Sequence, residues 1–171
     1  MSDVDHLESH RAADTEFLVR RGMTKGYELL SVLTPPVYAA FVLTRRGRSQ
    51  FSINRLLRAT WIGGAAGVAT GGAFEYVRSA NSRTETLRTR RIRDAYDVAS
   101  LRADDHSTIG GILGATLIPA FFWKRGRAVH LVLGGAGLGS AVGLFAHFGR
   151  SLVGDNPPKP TSIPTQSPDS E

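Results

Sequence analysis

The chain has 171 residues, with 21 lysines and arginines against 15 aspartates and glutamates, a formal net charge of +6, 19 glycines, 8 prolines and no cysteine. One domain is the expected content of that length. The missing thiol excludes a disulfide framework, a cysteine-ligated zinc, an iron–sulfur cluster and a thiol nucleophile.

Residues 1–25 read as a polar N-terminal segment. Asp3, Asp5, Glu8, Asp14 and Glu16 fall within its first sixteen positions, which argues against a cleavable mitochondrial presequence, normally arginine-rich and acid-poor. The segment also lacks the apolar stretch of a secretory signal. Residues 26–44 form the first candidate membrane pass, with Glu28 as their single charge and Pro35-Pro36 in the middle. Such a pair kinks an isolated helix, but membrane helices accommodate the freed carbonyls through neighbours. A basic connector follows, holding Arg45, Arg46, Arg48, Arg55 and Arg58, with Ser52 placed to cap the next helix.

Residues 59–77 are the second candidate pass. Glu75 is the single charge, Trp61 and Tyr76 bracket the run, and Gly63, Gly67 and Gly71 recur every four residues. Residues 78–106 make a charged loop with seven arginines. Within it Ile92, Ala95, Tyr96, Ala99 and Ala103 keep a helical rhythm beside Arg88, Arg90, Arg91 and Arg93. That pattern fits a helix lying among lipid headgroups or a solvated one. The third pass, 107–123, is uncharged and carries Gly110 and Gly114; Lys124, Arg125 and Arg127 then mark a tight turn. The fourth, 128–149, contains no Asp, Glu, Lys or Arg and repeats glycine at 135, 139 and 143. Residues 150–171 read as a disordered, proline-rich tail.

A helix rises about 1.5 Å per residue, so roughly twenty residues cross a ~30 Å hydrocarbon core. The four runs approach that length. The expected fold is an all-α membrane protein: four glycine-rich transmembrane helices, up-down, with polar disordered termini. The alternative is a soluble helical bundle with glycine-kinked core helices. Gly63, Gly67, Gly71, Gly110, Gly114, Gly135, Gly139 and Gly143 are the expected helix-packing positions, since close backbone contact replaces the hydrophobic drive that lipid does not supply. A faint repeat aligns Gly63 with Gly134 and Gly72 with Gly143.

Four passes place both termini on one side. That side carries thirteen basic residues, and the two short loops opposite carry eight. Raw number and density point in opposite directions, and the positive-inside rule is strongest for short loops. Arg45, Arg46, Arg48, Lys124, Arg125 and Arg127 are the expected contacts to lipid headgroups, anionic ones favoured.

The four short glycine-rich runs, their GxxxG stripes and the approach Arg102-Ala103-Asp104-Asp105-His106-Ser107-Thr108-Ile109-Gly110-Gly111-Ile112-Leu113-Gly114 resemble the mitochondrial protein-import translocase channel family, within the preprotein and amino acid transporter superfamily. The resemblance runs from about residue 26 to 149. This chain departs from it in its Pro-Pro first pass, its arginine-rich middle loop and its lack of cysteine. The resemblance implies the mitochondrial inner membrane, termini facing the intermembrane space and short basic loops in the matrix. It also implies acidic side chains in a lipid-facing concavity that receives basic substrates, a role for which Glu28 and Glu75 are the candidates here. The plainer reading pairs Glu75 with Arg78 or with headgroup water.

No catalytic, cofactor or metal constellation stands out, and a non-enzymatic role is expected. His6, His10, His106, His130 and His147 lack metal-ligand spacing. The GG clusters lack the context of a phosphate-binding loop. The arginines flank apolar runs as membrane anchors do, so no nucleic-acid partner is expected. The expected role is a structural subunit or assembly factor of a membrane complex, docking other membrane helices or a second copy through its glycine faces. A translocase-like import or solute-transport component using Glu28 and Glu75 is the alternative, and a soluble basic binding protein the third reading.

Overall fold

Residues 2 to 45 form one continuous helix in the computed structural model, which describes residues 2–45, 47, 49 and 51–154. This helix, α1 (Ser2–Arg45), is followed by α2 (Ile53–Ala80), α3 (Thr84–Ala95), α4 (Val98–Phe122), a 3-10 turn at Trp123–Arg125 and α5 (Ala128–Leu152). The described residues are therefore all-helical. The expected headgroup contacts Arg46 and Arg48 and the expected tail from residue 155 lie outside them.

Two boundaries differ from the sequence reading. The polar segment 1–25 is not separate from the first apolar run: the helix passes through both, and it passes through Pro35 and Pro36 as well. Within the polar half, Arg20 donates to Glu16 one turn back at 2.5 Å, the i,i+4 spacing that supports a solvated helix. At about 1.5 Å per residue the 44 residues span roughly 66 Å, twice a bilayer core. The second difference lies in the middle loop. Ile92, Ala95, Tyr96, Ala99 and Ala103 do not share one helix, because the chain breaks after Ala95. Asp97 there caps α4 by accepting from the Ser100 N–H at 3.2 Å; an Asp side chain that holds a backbone donor ends one helix and starts the next. Ser52 does occupy the N-cap of α2, though its side chain makes no capping hydrogen bond.

Packing is organised by two antiparallel pairs that use the same device. In the first, Gly22 faces Gly71 and Gly26 faces Gly67, so that the carbonyl oxygen of each residue in the second couple fills the place where the other would carry a Cβ. In the second, Gly110 faces Gly139 and Gly114 faces Gly135, with Gly143 against the His106 carbonyl. Such approach brings Cα–H groups onto carbonyl oxygens, a contact worth about 0.5–1 kcal/mol, and no residue but glycine permits it. The pairs join through α2 and α5, which run parallel: Gly134 lies against Leu57, and Gly137 against Thr60. The faint repeat is real in kind but shifted. The glycine contacts equate Gly67 with Gly135 and Gly71 with Gly139, three residues off the alignment of Gly63 with Gly134.

Among the described residues apolar and polar side chains share the interior: Leu18, Leu57, Leu87, Leu131 and Leu144 are buried, and polar side chains are buried with them. Buried positions include Asp14, Glu28, Ser31, Thr60, Glu75, Ser79, Ser107 and Ser140. Leu29, Leu33, Val37 and Phe41 form an exposed ladder on α1; Ile109, Ile112, Leu117 and Phe121 do so on α4, and Val129, Leu133, Val142 and Phe145 on α5. Two helices, α1 over Ser9–Arg45 and α5, are long and apolar enough to cross a membrane, rather than the four passes expected. α4 begins among Arg102, Asp104 and Asp105, and α2 is rich in glycine, alanine and threonine, so neither contains an unbroken stretch of spanning length as apolar as those in α1 and α5.

Candidate functional site

The up-down arrangement gathers the acidic residues at one end. No Asp or Glu occurs between Glu28 and Glu75, nor between Asp105 and Asp155. Among the described residues the end formed by the two short connections therefore holds Arg45, Arg55, Arg58, Lys124 and Arg127 with no acid beside them. Arg45, Lys124 and Arg127 are exposed there, and Arg125 belongs to the same turn. The Arg127 N–H donates to Asn54 Oδ1 at 3.4 Å, tying the two short connections together.

At the opposite end the buried carboxylates Asp14, Glu28 and Glu75 are paired, while Glu85, Asp97 and Asp105 are exposed. Lys25 Nζ bridges Glu28, one turn along α1 at 3.0 Å, and Asp104 at the start of α4. Arg21 stands 3.7 Å from the other oxygen of Asp104 and 4.0 Å from Asp94 on α3. α3 folds back onto the first helix pair, with Leu87 fully buried beneath it, and delivers two arginines. Arg90 donates to Glu75 at 2.5 Å, and Arg91 to Asp14 at 2.5 Å while lying over the Phe17 ring. Ser79 Oγ donates to Glu75 at 3.4 Å. Arg11 reaches the carbonyls of Ala80 and Ser82 at 3.3 Å, placing a cation on the electronegative C-terminus of α2.

A cavity of about 630 Å³ opens between α1, α2 and α3 at this end. Its wall carries Arg21, Lys25, Arg78, Glu75 and Arg90, with Phe74 as apolar lining. Glu75 is thus at the cavity but neutralised by Arg90, not by Arg78 as its sequence position suggested. Glu28 does not line that cavity; it is 5 % exposed and packed towards Lys25. Neither carboxylate is exposed at the surface. Of the two acids named for that role only Glu75 borders this cavity, and both Glu28 and Glu75 are held in ion pairs.

The eight packing glycines all occupy helix contacts, and every contact is within the chain: Gly63 meets Thr34, and the rest pair as described. Gly22 and Gly26, like Gly134 and Gly137, are packing residues outside the set expected from the sequence. Gly22 and Gly26 form a GxxxG step inside a polar stretch, next to Lys25, whose charge masks the apolar contact. Ser107 and Ser140 were likewise missed; their hydroxyls meet at 2.5 Å between α4 and α5. Trp61 Nε1–H donates to His130 Nδ1 at 3.1 Å, and His106 lies 5.3 Å from His147 between ring centres. Among the described residues no three His, Asp or Glu side chains converge on a common point for a metal ion.

Comparison with protein-family models, curated proteins and solved structures finds no match for this chain.

Proposed function

We propose that this chain is a four-helix integral membrane protein with a structural role: a subunit or assembly factor that presents a rigid apolar exterior to partner helices in the bilayer. The observation that carries the reading is the extensive exposure of large apolar side chains over a partly polar interior, with Leu33, Val37, Ile112 and Val142 outside and Glu28, Ser31, Thr60 and Ser140 inside beside Leu57 and Leu131. Water penalises that arrangement and lipid favours it. α2 and α4 are locked to α1 and α5 along their glycine seams, so a bilayer that takes up α1 and α5 takes up their partners too. The polar half of α1 then stands in water with α3.

The interior supports a scaffold over a conduit. Glycine contacts close both helix pairs, and the carboxylates that a basic substrate would need are already paired with Lys25 and Arg90. Docking of partners falls to the outer apolar ladders, because the glycine faces first expected to bind partner helices are consumed internally. The exposed apolar ladders also disfavour the reading as a soluble basic binding protein. Placement in the mitochondrial inner membrane with acid-free loops in the matrix belongs to the same proposal and rests on the resemblance and on the charge asymmetry.

Affinity capture from mild detergent extracts, combined with native gels of cells lacking the chain, tests the role. The expected result is a defined set of co-purifying membrane subunits and loss of their common complex on deletion. A chain that migrates alone, with every complex intact but import of basic precursors reduced, contradicts it in favour of translocation.

A further inference from the structure

The two helices of the first pair cross at Gly26 and Gly67 and leave space between them further towards the short connection. There two cavities, of about 510 and 430 Å³, share Tyr38, Phe41 and Ala59 as lining and so form one groove between the C-terminal half of α1 and the N-terminal half of α2. The upper part is walled by Leu33 and Val37; Arg55 and Arg58 line the lower part. From Leu30 to Phe41 the groove follows α1 for eleven residues, about 16 Å at 1.5 Å per residue. That is half of a ~30 Å hydrocarbon core, the depth of one leaflet. Among the described residues the two arginines make no ion pair, and no acid lies in the sequence between Glu28 and Glu75 to compete for them.

We infer that this groove binds one anionic phospholipid, with an acyl chain along Leu33 and Val37 and its phosphate on Arg55 and Arg58. The inference rests on the membrane reading above and adds a site to it. An apolar slot of single-leaflet depth that ends in two unpaired guanidiniums matches an amphiphile with a phosphate at its head. Free phosphate shares the head chemistry but gains nothing from the slot. A partner helix would meet two uncompensated cations at its end. The site differs from diffuse headgroup contact at Arg45, Lys124 and Arg127 in having a slot for the chain.

The test is native mass spectrometry of the delipidated full chain in detergent, titrated separately with phosphatidylglycerol, phosphatidylcholine and inorganic phosphate. One phosphatidylglycerol is expected to bind in preference to phosphatidylcholine, with inorganic phosphate failing to compete. R55Q/R58Q removes two cations worth about 1 kcal/mol each, so binding is expected to weaken about thirty-fold, while K124Q/R127Q leaves it within about threefold. Ala59→Phe, which fills the groove and keeps both arginines, is expected to lose the bound lipid as well, and circular dichroism establishes that each variant is folded. Unchanged phosphatidylglycerol binding in folded R55Q/R58Q overturns the site, as does equal binding of phosphatidylcholine or competition by inorganic phosphate. Carbonate extraction of the same variants separates the two claims. Retention in the membrane with no loss of lipid binding sinks only the groove, whereas release of the parent chain sinks the membrane reading beneath it.

Discussion

Gly26 and Gly67 each occupy, with their carbonyl oxygen, the position that a Cβ on the other would take. The first helix pair therefore has no space for any side chain at its crossing, and backbone, unlike the end of a flexible side chain, cannot step aside. Gly67→Val is expected to cost more than the about 1–3 kcal/mol of ordinary overpacking and to separate α1 from α2. Gly149 offers the contrast, with nothing within 4 Å of a built Cβ; Gly149→Ala is expected to stabilise by up to about 1 kcal/mol through helix propensity. Denaturation midpoints of the two variants in the same detergent check both signs.

Arg90 is the sole cation bonded to Glu75 among the described residues, and both side chains are largely buried, at 20 % and 11 % exposure. Removing one member leaves the other uncompensated, so Glu75→Gln and Arg90→Gln are each expected to destabilise by about 3 kcal/mol. The double variant should cost clearly less than the sum. A double-mutant cycle on detergent-induced unfolding measures the coupling; strict additivity would mean that α3 is not held by this pair.

Lys25 holds two acids from different helices. Lys25→Met leaves Glu28 without its cation and Asp104 with Arg21 alone, and the expected outcome is a weakened α1–α4 connection at the terminal end. Adding Glu28→Gln to Lys25→Met should restore part of the stability, since the neutral amide no longer needs the ammonium. Limited proteolysis between α3 and α4 reports the loosening and its rescue.

Between α4 and α5, Ser107 and Ser140 are joined by a buried hydroxyl pair. Hydrogen bonds between membrane helices average only about 0.6 kcal/mol, so Ser107→Ala and Ser140→Ala should each shift the midpoint slightly. Gly139→Val in the same seam should abolish the pair. Comparing the three variants establishes whether glycine contact or hydroxyl bonding holds α4 to α5.

Much of the helix content was legible because glycine spacing and charge-free runs are local signals. The GxxxG steps at 67/71, 110/114 and 135/139 are packing seams as their spacing implied, and Trp123–Arg125 is the tight turn that Lys124 and Arg125 suggested. What stayed hidden depended on distant partners. Nothing near Glu75 in sequence announces Arg90, because the pairing requires α3 to fold back over the first pair. Gly22 and Gly26 were obscured by Lys25 and Arg21, whose charges look solvated until Asp104 and Asp94 arrive from elsewhere. The break at Asp97 defeated a periodicity that ran across it, since a single capping side chain outweighs a weak apolar rhythm. The partners of the glycine faces were illegible as well: a stripe marks a contact without saying whether the facing helix belongs to the same chain.

The most direct measurement exploits the absence of cysteine. Single cysteines placed at Val37, Ile112 and Val142, all more than 60 % exposed, can each carry a nitroxide in chain reconstituted into vesicles. If lipid is the solvent, power saturation at all three sites will respond to oxygen and scarcely to a water-soluble nickel chelate. Strong relaxation by the chelate at these positions would mean that water surrounds them, and the membrane reading would fail.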